Sequence, residues 1–171
     1  MCFIRDSHQS SAVGGSIELI AHNADPVDLS YADGKVELSM FHYRKNDSSS
    51  DIVMVHVYNH PSRHQTIKNF ESEFDTFMER HSAWVEKDLV LFGDFNIDFN
   101  LDDEEIQRLK RKLENQFRIK PTLSGTPTRP KSGRQIDWVF SSNRGMTCET
   151  SLYSTWFSDH QPLVSDINFF N

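Results

Sequence analysis

Cysteine is nearly absent from this chain. Of its 171 residues only Cys2 and Cys148 carry a thiol, and they form no Cys-x-x-Cys pair, so a disulfide framework does not organise the fold. Long apolar runs are missing too: no window approaches the ~18 consecutive apolar residues that a membrane span requires. Met1 is not followed by a basic stretch and an apolar segment, which argues against a secretory signal. A soluble intracellular protein, nuclear or cytoplasmic, with no membrane partner is the expectation. Repeats, low-complexity tracts and linkers are also absent. The 171 residues are read as one domain (1–171), long enough to bury a core without disulfide or metal staples.

Basic charge is in deficit, with 18 Lys and Arg against 25 Asp and Glu and a formal net charge of -7. That average conceals an asymmetry. From Arg108 to Arg134 nine basic residues meet a single acid, Glu114, so the window carries +8 and the remainder -15. A solvated helix face followed by a charged loop would account for such a run. A polyanion meeting one basic rim beside an acidic, cation-binding centre would account for it as well.

Periodicity divides the chain into strands and helices. The segments 16–21, 36–43 and 52–58 are short runs rich in Val, Ile, Leu and aromatics. They read as antiparallel strands, the last ended by Pro61. The period then changes. Ile67, Phe70, Phe74, Phe77, Met78 and His81 recur every three or four residues, as one buried helix face would. Leu89-Val90-Leu91-Phe92 is a buried strand expected to stop at Gly93. Asp102 to Glu105 opens a second helix with Ile106, Leu109, Leu113 and Phe117 on one face. Asp102 with Glu105 fits a capping box, which explains the acids without a metal. A loop over 121–133 leads into the strand at Ile136, and strands near 147–154 and 163–169 finish the domain.

Chemistry gathers at the strand ends. Gly93-Asp94-Phe95-Asn96 places a carboxylate and a carboxamide after the apolar run, Ile136-Asp137-Trp138-Val139-Phe140 carries one acid in a short strand, and Ser158-Asp159-His160 precedes Pro162-Leu163-Val164. Three acids at a common edge would need a cation. Hydrolysis of a phosphodiester would use one, with Mg2+ held by one or two carboxylates. Ser158-Asp159-His160 is not a serine-hydrolase triad, because adjacent residues point apart and cannot hydrogen-bond in series. His160 suits a phosphate donor or proton-transfer role. Trp138 is expected in the core, and His60 and His64 are ordinary loop histidines.

With Val57-Tyr58-Asn59-His60-Pro61 upstream, these motifs in this order resemble the endonuclease/exonuclease/phosphatase superfamily, and their wording is most similar to endonuclease domains of retrotransposons and Helitron-type transposons. The resemblance implies an α+β fold, the four-layer α/β/β/α sandwich of the deoxyribonuclease type. It implies that Asp94 activates the attacking water, Asn96 holds that water or a phosphate oxygen, Asp137 orients His160, His160 and Tyr58 contact the phosphate, and Asp159 helps bind Mg2+ or Mn2+. The loop over 122–135 is similar to one that precedes the Ile-Asp strand in mobile-element endonucleases, and its Arg129, Lys131 and Arg134 would contact DNA backbone.

The family domain begins with a strand bearing an Asn and a second strand ending in Glu. Here Cys2 to His8 looks like that second strand with Asp6 in the glutamate position as a metal ligand, and the first strand is absent. The chain is therefore expected to be N-terminally incomplete, with an exposed edge that favours self-association. The leading expectation is a Mg2+-dependent DNA endonuclease derived from a mobile element. The alternatives are a truncated relic acting at most as a nucleic-acid or protein binding module, and a phosphoesterase for small molecules.

Overall fold

A computed structural model describes residues 24–28, 35–44, 51–61, 65–84 and 86–170. The strand expected over 16–21, the expected second strand with Asp6, the N-terminal edge and His64 lie outside these residues.

The chain builds a six-stranded sheet and a two-stranded sheet. In the larger one, β1 (Ala24–Asp28), β2 (Val36–Arg44), β3 (Asp51–Asn59), β4 (Asp88–Asp94), β5 (Ile119–Pro121) and β6 (Asp137–Ser142) stand in the order β1-β2-β3-β4-β6-β5. Only the β3–β4 pair is parallel. A parallel pair needs a crossover, and helix α1 (Thr66–Arg80) provides it. Helix α2 (Glu104–Phe117) follows β4, and β7 (Met146–Leu152) pairs with β8 (Leu163–Phe169) as the small antiparallel sheet.

Alternation along the central strands separates two cores. Val53, Val55, Val57, Leu89, Leu91, Trp138 and Phe140 face the helices, where they meet Phe70, Phe74 and Phe77 of α1 and Leu109, Leu113 and Phe117 of α2. Every one of these side chains is at most 3 % exposed. The intervening residues Ile52, Val90 and Val139 turn the other way and pack with Met146, Leu163, Ile167 and Phe169 of the small sheet. One layer of helices and two of strand are thus stacked on apolar faces, an α+β sandwich as the motifs imply; the second helix layer of the expected α/β/β/α arrangement is not among the described residues. The Phe stripe of α1 is core, as expected, with Phe70 and Phe74 stacked at 5.3 Å.

Four local differences from the sequence expectations have physical reasons. The helix α2 cap is Asp103 rather than Asp102: its Oδ1 accepts from the Glu105 and Ile106 amides, which satisfies two of the free donors of the first turn. Strand β1 contains Pro26, a residue that suggests a turn but is tolerated on an edge strand, and β1 is the sheet edge. Strand β5 is only three residues long, too short for any period to show. It starts directly after Arg118, whose left-handed φ of 56° ends α2.

The fourth difference concerns Gly93. Strand β4 does not stop there but continues to Asp94. Gly93 has φ +137°, and a Cβ added to it would overlap the Val57 carbonyl of the neighbouring parallel strand. Glycine is required because two backbones meet at this point, directly before the acid. Gly93→Ala is therefore expected to cost at least about 4 kcal/mol, an exceptional loss for one methyl group. Urea denaturation, or failure to recover soluble protein, measures it; a cost near that of an ordinary surface substitution would contradict the account.

Candidate active site

Strand register places the key side chains. Tyr58 of β3 is the partner of Asp94 on β4, and Asp94 is the partner of Asp137 on β6. Side chains at matching positions on adjacent strands share a face, and this face is the one turned toward the small sheet. The preceding rung, His56–Phe92–Val139, follows from the same register. Beyond the apolar packing of Ile52, Val90 and Val139 the sheets enclose a cleft of about 720 Å³. Its lining includes His56, Tyr58, Asp94, Asp137, Phe157 and His160.

His160 enters from the other sheet, on the loop between β7 and β8. Its Nδ1 lies 3.1 Å and 3.0 Å from the two carboxylate oxygens of Asp137. The ring is thereby oriented and Nε2 is left for another partner. One ligand atom each from Asp94, Asp137 and His160 lies within 4.8 Å of the others.

Thr128 assembles this geometry, and the motif reading did not single it out. The residue is fully buried. Its Oγ1 accepts from the amides of Ile136 and Asp137 at 3.1 Å, and its carbonyl accepts from the Gln161 amide at 2.7 Å. One residue therefore ties the start of the Asp137 strand to the chain beside His160. Its sequence signal is weak, a threonine among prolines in a loop.

Burial and charge set the state of Asp94. Removal from water, and next the neighbouring Asp137, push its carboxyl up to about 6, against the amide of Asn96, His160 and Arg129, which favour the anion. The Asn96 amide donates to Asp94 Oδ1 at 2.9 Å. The Tyr58 phenol is raised by burial, with Asp94 and Glu37 adding to it, so it remains a hydroxyl donor at neutral pH.

The structure brings together Asp94, Asp137, His160 and Tyr58. Asn96 is next to them but lines a second, smaller cavity of about 330 Å³. It adopts the left-handed conformation at φ 50° and its side-chain Nδ2 donates to the Asn59 carbonyl at 2.7 Å. Asn59 in turn is buried and donates to the carbonyls of Phe95 and Thr66, so Asn96 helps hold the strand end. Asp159 is exposed and accepts from Arg129 Nε at 3.0 Å and Nη2 at 2.9 Å; the guanidinium keeps its carboxyl below the usual range. It stands outside the three-residue cluster.

The basic window is not one rim. Arg108 pairs with Glu71, Lys112 with Glu71 and Asp75, and Lys120 with Glu114; these are contacts around the helices. Of the window, the loop bearing Arg129, Lys131 and Arg134 is what adjoins the site, Arg134 lining the smaller cavity. Trp138 is fully buried and donates to the carbonyls of Ile97 and Gln135. Ser158 Oγ accepts from the His160 amide at 3.1 Å, a local turn and not a triad contact. His60 meets Glu37 at 3.3 Å and the Tyr58 ring.

Residues 52–164 match the profile of the endonuclease-reverse transcriptase family, a stretch that contains the whole cluster. The chain belongs to that family. The family lies within the endonuclease/exonuclease/phosphatase superfamily, and solved structures share its fold. The endonuclease domain of TRAS1, a telomere-specific non-LTR retrotransposon, is 17% identical with TM-score 0.64, over 88% of this chain and 70% of that one. The human nocturnin catalytic domain is 12% identical with TM-score 0.63, over 89% and 62%. A mannosyl-6-phosphatase from Bacteroides thetaiotaomicron is 16% identical with TM-score 0.57, over 86% and 68%. The chain thus spans less than two thirds of the nocturnin domain. No curated protein matches it by sequence.

Two outcomes follow from the site's construction. Because the folded carboxyl of Asp94 titrates near 6 rather than 3.8, the native state binds more protons than the unfolded state between those values. Stability therefore falls as pH rises through that window and the full penalty stands above it. Asp94→Asn is expected to stabilise the chain by roughly 2–3 kcal/mol at pH 8 and to be near neutral at pH 4. Denaturation at the two pH values checks this, and an equal effect at both would refute it. Thr128→Val leaves two buried amides without an acceptor and is expected to cost about 2 kcal/mol or more. Thr128→Ser should restore most of it in the same measurement.

Proposed function

We propose that this chain is a Mg2+-dependent phosphodiesterase acting on DNA, an endonuclease of the mobile-element type. The observation that carries the reading is the juxtaposition of Asp94, Asp137 and His160 on one cleft in a chain of this family. Membership limits the chemistry to a class, and the likeness to an endonuclease domain of a retrotransposon favours nucleic acid as substrate.

The two carboxylates fit a hard divalent cation beside a cleft with room for water, where Mg2+ or Mn2+ would be held through Asp94 and Asp137. Asp159 would join them by exchanging its Arg129 contact. Such a cation would neutralise charge on the phosphoryl oxygens and assist the leaving oxygen. The remaining roles belong to the chain. Asp94 would orient and activate the attacking water. Asp137 holds the His160 ring so that Nε2 would meet the scissile phosphate, and the Tyr58 hydroxyl would donate to a phosphate oxygen. Asn96 would act from behind, through the amide that bonds Asp94. The loop cations Arg129, Lys131 and Arg134 would track the backbone with affinity that falls as salt rises.

A second reading rests on a specific observation. The helix cations are spent within the chain, which reduces the surface available to a polyanion and suits a small phosphoester, the class named for the Bacteroides phosphatase. A binding module without chemistry is the third reading, favoured by the Arg129 contact that occupies Asp159.

Nicking of supercoiled plasmid separates them. The expected result is cleavage that requires Mg2+ and falls at least about 100-fold in Asp94→Ala and His160→Ala. Wild-type protein no more active than those variants on plasmid, yet hydrolysing a sugar phosphate, would move the assignment to small esters. Salt-dependent DNA binding with no divalent-cation uptake by calorimetry would leave the binding module.

A further inference from the structure

The loop between β7 and β8 that delivers His160 also carries the most exposed large apolar side chains among the described residues. Trp156 is 93% exposed and Phe157 77%, with Tyr153 at 55% nearby. The two rings stand edge to face at 5.8 Å. They do not belong to either core, and Phe157 lines the same cleft as Asp94, Asp137 and His160. A tryptophan left almost wholly in water forgoes the burial that normally holds it in a fold, so its place calls for a partner.

The loop is not slack. Its ends are joined by the Tyr153 amide donating to the Pro162 carbonyl at 3.0 Å, and the Gln161 amide is tied to Thr128 at 2.7 Å. Within it, the Ser158 and Thr155 hydroxyls accept from the His160 and Phe157 amides. The backbone that carries the rings is therefore tied in place relative to His160, three residues from Phe157.

We propose that Trp156 and Phe157 form a stacking platform for an unpaired nucleobase next to the phosphate bound at the cleft. This deepens the nuclease reading and rests on it. The occupant is argued from the surroundings. The apolar patch is narrow, flanked by Ser154, Thr155, Ser158 and Asp159, and lacks the breadth of a protein interface core. Phe157 lines the cleft of Asp94 and Asp137, where a cation would meet a phosphate, and the same loop is tied through Asp159 to Arg129, a second group suited to phosphates. A flat apolar surface beside a phosphate site matches the alternation of sugar-phosphate and base along a strand. In continuous duplex the base faces are already stacked, so the platform selects single-stranded, gapped or flipped-out positions.

The test uses the full chain in EDTA, with fluorescence anisotropy of a labelled single strand of about 12 nucleotides and of the same length of abasic strand with equal charge. Trp156→Ala and Phe157→Ala are each expected to weaken binding of the base-bearing strand by about tenfold and to leave abasic-strand binding unchanged, with an unaltered melting temperature. Equal losses on both strands, or no loss, would overturn the platform while the nuclease reading stands on plasmid nicking. Absence of binding by the wild type to either strand, together with absence of nicking, would overturn both. Loss of binding to phosphatidylcholine–phosphatidylglycerol vesicles in these variants, with oligonucleotide binding unchanged, would assign the rings to a lipid surface and also overturn it.

Discussion

Two carboxylates set side by side on adjacent strands are the constraint on which this architecture turns. Asp94 and Asp137 are register partners, so the hydrogen-bond ladder, not the side chains, decides their separation. Folding forces like charges together in a partly dry cleft, and one consequence is the raised carboxyl of Asp94. The surrounding polar contacts read as compensation: the Asn96 amide on Asp94, the His160 ring on Asp137, Arg129 within electrostatic reach. A site that stores unfavourable charge in the resting state is suited to a bound cation, which relieves it.

Register also explains what was legible in the sequence. Apolar runs with a chemistry-bearing residue at or beside one end, Tyr58 and Asp94 where their strands close and Asp137 where its strand opens, announce a strand and its functional end together. Helix faces such as Phe70, Phe74, Phe77 and Ile106, Leu109, Leu113, Phe117 were equally plain, because their period is 3.6. Whatever depends on distant partners was obscure. Nothing local distinguishes Thr128 from other loop threonines, since its role lies in amides eight and nine residues away and in a carbonyl contact with Gln161. The expectation that Asn96 shares the cleft failed to foresee its contact with Asn59, and a charge count could not show that Arg108 and Lys112 bridge two helices.

Fold and family leave substrate open in a physically definite way. A cluster of two carboxylates and an imidazole that received a phosphoryl group and a cation would do so for a nucleic acid or a sugar ester alike. Discrimination must reside in what flanks it: the 129–134 loop and the 153–157 segment. Both are loop elements on a rigid double sheet, where variation in side chains alters recognition without disturbing the strand ends.

The placement of His160 on the β7–β8 loop has a consequence for how the centre comes into being. This hairpin has its own local ladder, whereas its attachment to the main sheet rests on one apolar seam, Ile52, Val90, Val139 and Met146 with their neighbours, and on scattered polar ties. The imidazole and its aspartate are therefore contributed by two separately hydrogen-bonded bodies, and parting them along that seam would break the His160–Asp137 contact while each ladder stays intact. On the proposed mechanism, competence to react would belong to the closed seam and not to either sheet alone.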